Sequence, residues 1–253
     1  MARRVALKGG GGPPGIIEEP LPTWLGSRVL RMQSCDGRDQ IARIVWGRGW
    51  DGFERPLPFL FARLAQRSRT VLDIGANTGF YSLLAGHAGA TVLAFEPIPS
   101  IATILEGNLR NNSLSNVQVF RCAVSNAVGR ATMFLPKADH GLIETGASLN
   151  REFQSEHNAE IDVEVCTVDQ VSDGRQIDLI KIDVETLEEK VLSGARRTIV
   201  RCRPIISVEI LSDNNALARW CGDIGYKFVT YGSNSHNQLL CPLERLEELP
   251  IKA

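Results

Sequence analysis

Five carboxylates stand where apolar runs give way to loops: Asp73, Glu96, Asp183, Glu185 and Glu209. Asp73 and Glu96 bracket a glycine turn, Gly75-Ala-Asn-Thr-Gly79. Glu96 falls about twenty residues beyond the first of these glycines, where a nucleotide-binding unit carries the acid that bonds ribose hydroxyls. Asp183 and Glu185 are two residues apart, hence on one side of an extended backbone. Acids in such places attract cations, hold a divalent metal, or take a proton from a reacting hydroxyl.

The elements that must position them follow from the apolar pattern. Val71, Leu72 and Ile74 make a short strand, the glycine turn follows, and Phe80, Leu83, Leu84 and Ala88 recur at helical spacing. A second strand at 92–95 ends in Glu96. Asp73 narrows the choice of nucleotide, because a carboxylate at the mouth of the first strand repels a pyrophosphate. A single four-residue glycine interval with Asn77 at its centre also departs from Gly-x-Gly-x-x-Gly. S-adenosylmethionine (SAM) fits better: it offers an adenosine to Glu96, no phosphate, and a sulfonium and an ammonium to Asp73. The residues expected to hold it are Asp73, Gly75, Asn77, Gly79, Phe80, Glu96, Pro97, Ala123 and Asp183.

Composition sets the frame. A chain of 253 residues holds one α/β domain with additions, and its apolar fraction of 43% is that of a globular protein. A formal net charge of -1 with no long Lys/Arg stripe argues against nucleic acid as a partner. Six scattered cysteines lack a Cys-x-x-Cys pair and read as reduced thiols. Neither a secretory signal nor a run of membrane-spanning length is present, so no membrane association and a cytoplasmic location are expected. Self-association stays open.

Along the chain, residues 1–22 contain the Gly9–Gly12 run and several prolines, and are expected to be mobile. Residues 23–69 form an extension that packs on or over the cofactor pocket, with a helix from Pro56 or Pro58 burying Leu57, Leu60, Phe61 and Leu64. Residues 70–253 form the main domain. Its third strand spans 116–124 and sets Ala123 beside the adenine. A polar segment at 136–160 is the expected acceptor contact. A fourth strand at 177–184 leads to Asp183 and Glu185, and Thr186-Leu-Glu-Glu189 has capping-box spacing, which starts a helix at Thr186. A fifth strand ends in Glu209, and a closing hairpin carries His236 in its connection.

The blocks VLDIGANTGFYSLLA, AFEP, NVQVFRCAVS, DLIKIDVE with LEEKVLSGA, and RPIISVEI resemble the FkbM-type family of SAM-dependent methyltransferases. The resemblance runs from about Trp50 to the final hairpin. It implies a Rossmann-like class I methyltransferase fold, with a seven-stranded, mostly parallel sheet, helices on both faces and an antiparallel last strand. It also implies SAM and O-methylation of a sugar or natural-product hydroxyl, so that the partner is a small-molecule or glycan acceptor. Members usually have glycine after Asp-Val-Glu, where this chain has Thr186.

The expected reaction is in-line methyl transfer from the sulfonium to a hydroxyl oxygen, driven mostly by positioning. Asp183 is the first candidate for the base, supported by Glu185 and Glu209, with His236 a second candidate. A divalent metal on Asp183 and Glu209 is an alternative way to keep so many acids together. Helix capping or an ordinary salt bridge is the plainer reading of Glu185 and Glu209, and simple exposure that of His236. Two other functions remain open, a catalytically inactive ligand-binding domain and a nicotinamide-dependent oxidoreductase.

Overall fold

Alternation along the central strands decides which way each side chain faces. Val71 and Leu72 are neighbours in strand β3 (Thr70–Ile74), yet they enter two different apolar cores, one on each face of the sheet. The computed structural model describes residues 12–136, 141–143, 146–153, 157–210, 215–231 and 236–250.

The first elements are the strands β1 (Ile16–Pro20) and β2 (Val29–Gln33), paired antiparallel, and the helices α1 (Gln40–Arg48) and α2 (Leu57–Ala65). After β3 come α3 (Phe80–Ala88), β4 (Thr91–Phe95), α4 (Pro99–Asn111) and β5 (Val117–Phe120). A three-stranded sheet follows from β6 (Ala123–Val124), β7 (Gly129–Pro136) and β8 (His157–Cys166). The chain returns through α5 (Val168–Ser172), β9 (Leu179–Ile182), α6 (Glu188–Gly194), α7 (Arg196–Cys202) and β10 (Ile205–Glu209). It continues with α8 (Asn215–Asp223), β11 (Tyr226–Thr230) and β12 (Asn237–Pro242).

The main sheet has seven strands in the order β11-β12-β10-β9-β3-β4-β5, with β12 antiparallel to both of its neighbours. Its inner parallel strands are short, mostly apolar runs buried on both faces, as parallel sheets require, with Asp73, Lys181 and Ser207 as buried polar exceptions. Strand order reverses between β3 and β9, and α/β sheets bind ligands outside the carboxyl ends of the strands at such a point.

The opening segment is more ordered than its composition suggests. Residues 1–11 lie outside the described residues, but 16–20 form β1, with Ile17 and Leu21 buried, so mobility over 1–22 is corrected there. Apolar side chains in and after β1 outweigh the flanking Gly and Pro. The hairpin is fixed to α4 by two amide side chains. Gln33 N donates to Asn108 Oδ1 at 2.7 Å, while Asn112 bonds both the N–H and the C=O of Arg31, at 2.9 and 2.6 Å. These amides replace a neighbouring strand on the free edge of β2.

Two further expectations are corrected. The third core strand ends at Phe120, and Ala123 belongs to the smaller sheet, paired with β8 rather than β4. Thr186 does not start a helix: α6 begins at Glu188 with Leu187 at its N-cap and no side-chain cap. Glu185 and Thr186 instead take positive φ, +55° and +80°, and no helical turn can begin through them. Among the described residues, no helix is long and apolar enough to cross a membrane.

Candidate active site

Gly75 closes the end of β3 and cannot be replaced cheaply. Its φ is +79°, and a Cβ built there would lie 1.8 Å from the carbonyl oxygen of Asp183. The N–H groups of Gly75 and Ala76 both donate to Phe95 O, which folds the loop back over β4. Gly79 serves packing: an added Cβ would meet Leu105 of α4 at 2.2 Å. Asn77 takes φ +51°, and its N–H donates to Glu96 Oε2 at 2.9 Å while Ile98 N–H donates to Oε1 at 2.8 Å. Glu96 therefore points across the loop with one bond on each oxygen and lone pairs to spare. Burial pushes its carboxyl up to about 7 against the pull of those two N–H groups.

A cavity of about 280 Å³ opens at this end of the sheet. Gly75, Asn77, Phe80, Glu96, Pro97 and Ala123 line it, and so do Asp183, Glu185 and Glu209. Of the segment at 136–160, the described part contributes Ala147 and Leu149 to the wall. The extension adds Gln40, Ile41, Phe53 and Glu54 to the wall.

Asp73, Gly79 and His236 stand outside that wall. Asp73 is 1% exposed and accepts a hydrogen bond from Ser82 Oγ at 2.6 Å, so it faces the interior of the sheet layer rather than a ligand. Burial raises its pKa. His236 is exposed just before β12, and its carbonyl accepts the N–H of Ile210.

The acid cluster is built by strand register. Lys181 lies opposite Asp73 on β3 and Ser207 on β10, and Asp183 follows it by two residues on the same face. Lys181 Nζ donates to Asp183 Oδ2 at 2.7 Å, with its side chain 3% exposed and that of Asp183 24%. The ammonium also sits 4.6 Å from the centroid of the Tyr81 ring, whose hydroxyl donates to Glu54 Oε2 at 2.6 Å. Carboxylate oxygens of Glu54, Asp183 and Glu209 all lie within 4.8 Å of one another.

Charge divides unequally among these groups. Burial alone would raise Asp183, but Lys181 and a hydrogen bond from Glu209 outweigh it and hold the carboxyl below its ordinary value. Burial and the Asp183 charge push Glu209 up to about 9, and burial with Asp183 and Glu188 pushes Glu185 up to about 8. Burial likewise raises Glu54. For Lys181 burial pulls downward, yet Asp183, Glu54 and Asp73 prevail, so its pKa is raised. At neutral pH Asp183 is a carboxylate fixed by the Lys181 ammonium, with Glu185 and Glu209 protonated beside it.

The smaller sheet and its loop brace the rim. Ser148 Oγ donates to Glu185 O at 2.7 Å, and Asn150 Nδ2 donates to Thr186 Oγ1 at 3.0 Å. These bonds hold two residues in backbone conformations that β-branched and long side chains otherwise avoid.

Spacing on the chain did not disclose Glu54, Tyr81 or Lys181 as site residues. A charged residue inside the apolar run of β9 was the available signal for Lys181. Glu54 sits in an aperiodic loop that offers none.

Strand order, the antiparallel β12 and a cavity at the switch point define a class I methyltransferase fold. Residues 73–228 match the Methyltransferase FkbM domain, and the chain belongs to that family. It is 29% identical over 153 residues to methyltransferase sdnD of Sordaria araneosa, covering 49% of this chain and 59% of that protein. It is 33% identical over 152 residues to 31-O-demethyl-FK506 methyltransferase FkbM of Streptomyces tacrolimicus, covering 49% and 58%. The matched stretch thus spans under two thirds of these curated relatives. The crystal structure of methyltransferase FkbM from Methylobacillus flagellatus KT superimposes with a TM-score of 0.51 at 19% identity, over 79% of this chain and 52% of that one.

Proposed function

We propose that the chain binds SAM in this cavity and methylates a hydroxyl oxygen of a small-molecule or glycan acceptor. The observation that carries the reading is the meeting, in one cavity, of a glycine loop with Glu96 and an ionised Asp183 flanked by Glu209. Fit to SAM rests on the wall itself. Among the described residues its titratable members are the acids Glu54, Glu96, Asp183, Glu185 and Glu209 and the one amine Lys181, which is taken up by Asp183. Among the described residues such a wall offers a pyrophosphate no unpaired cation, whereas its acids can ionise to meet a cationic ligand. Phe80, Phe95, Ile98, Ile101, Val124 and Met133 supply an apolar floor of the kind an adenine ring needs.

SAM supplies a methyl group on a positively charged sulfur. The chain's own residues do the rest. Glu96 keeps lone pairs for ribose hydroxyls while the loop N–H groups hold its carboxylate still. Asp183, kept ionised by Lys181, accepts the hydrogen bond of the acceptor hydroxyl and then its proton as the new C–O bond forms. Glu209 holds a proton against Asp183 and fixes that carboxylate's orientation. Transfer to oxygen also accords with the Streptomyces relative, whose name makes an O-demethylated compound its substrate. The test is a screen with methyl-tritiated SAM against sugars, macrolides and hydroxylated peptides. Label bound to oxygen in any of these supports the reading; label on nitrogen or carbon alone contradicts it.

A further inference from the structure

We infer that Lys181 is the built-in cation of the acceptor site, standing where a divalent metal would otherwise bridge Glu54, Asp183 and Glu209, and that it acts as the positioning residue for Asp183. The inference deepens the methyl-transfer reading and rests on it for the role of Asp183. Three carboxylates whose oxygens lie within 4.8 Å of one another need a positive charge nearby or retained protons. The fold already provides that charge. Lys181 rises from the middle of β9, its neighbours Ile180 and Ile182 are fully buried in the opposite core, and its ammonium reaches Asp183 Oδ2 at 2.7 Å. The face of Tyr81 closes over it at 4.6 Å, and the Tyr81 hydroxyl ties Glu54 into the same group.

A lysine that merely balanced buried charge would need only proximity. This one is held on three sides, by strand register with Asp73 and Ser207, by the ring, and by the bond to Asp183. An ammonium has three donors and no acceptor, so it orients a carboxylate without competing for the acceptor's proton. A metal entering between Glu54, Asp183 and Glu209 would have to approach that fixed positive charge at close range, which disfavours it strongly.

The experiment needs neither donor nor acceptor, so its outcome is separate from that of the methyl-transfer screen. Manganese binding is followed by electron paramagnetic resonance and thermal unfolding, for the wild type, Lys181→Met, and Lys181→Met with Glu209→Gln. The wild type is expected to leave the free manganese signal unchanged. Lys181→Met is expected to gain a stoichiometric site, seen as loss of free signal and a rise in unfolding midpoint of about 3 °C or more. Adding Glu209→Gln should abolish that gain. Manganese binding by the wild type at these acids, or a folded Lys181→Met that takes up none, overturns the inference. Should Lys181→Met fold only when manganese is supplied, the inference stands. Should manganese fail to restore it, the inference falls.

Discussion

The two halves of the cavity are made in opposite ways. On the proposed donor side, the glycine loop and Glu96 come from one contiguous strand–loop–helix–strand unit, and backbone N–H groups satisfy the carboxylate. On the proposed acceptor side, Glu54, Lys181, Asp183 and Glu209 come from an aperiodic loop and from the ends of two strands, and they satisfy one another by charge and shared protons. The first half depends on backbone geometry and on the one carboxylate which that geometry holds. The second depends on charge balance, and its geometry follows from sheet register. A substitution should therefore damage folding and donor binding in one half, and acceptor chemistry and pH response in the other.

The largest effect belongs to Gly75→Ala. Its Cβ would overlap Asp183 O in a left-handed backbone, so we expect a loss on the order of 3 kcal/mol or more in chemical denaturation, together with loss of SAM binding. A variant as stable as the wild type would break the comparison on the donor side. Next, Glu96→Gln removes one acceptor from a carboxylate bound by two N–H groups, and calorimetry should show SAM binding weaker by about tenfold or more.

The acceptor side predicts a pH effect instead. Folded Glu185 and Glu209 have pKa values of about 8 and about 9 against an ordinary 4.5, so they keep protons that the unfolded chain has already lost. Stability should then fall as pH rises from about 4.5, and level off above about 9. Melting curves of Glu209→Gln should show a shallower decline than the wild type, and an equal or steeper one would contradict the assignment. The smallest effect is at Thr186. Glycine relieves its φ of +80° but forfeits the bond from Asn150, so Thr186→Gly should stay within about 1 kcal/mol of the wild type. Thr186→Ala keeps the strain and loses the bond, and should be the less stable of the two.

The same contrast explains what could be read from the chain. The donor half was legible because its determinants are local: glycines at fixed spacing, a helix behind them, an acid about twenty residues on. Strand order and the antiparallel β12 followed from the resemblance and from the closing hairpin at Tyr226–Thr230 and Asn237–Pro242. Asp73 misled because spacing shows that a residue ends a strand but not which face it takes once Ser82 of α3 lies over it. Thr186 misled because a capping-box spacing competes with tertiary bonds from Ser148 and Asn150 that hold the preceding turn open. Lys181 acquires meaning only from its register opposite Asp73, and Glu54 only from the folding of the extension over α3.

Asp183→Asn tests the division of labour most directly, because Asp183 touches both halves. SAM affinity by calorimetry and labelled-methyl transfer to a hydroxyl acceptor are to be measured on the same preparation. The account predicts SAM binding within about tenfold of the wild type and transfer slower by roughly a hundredfold or more. Wild-type turnover in that variant would contradict it.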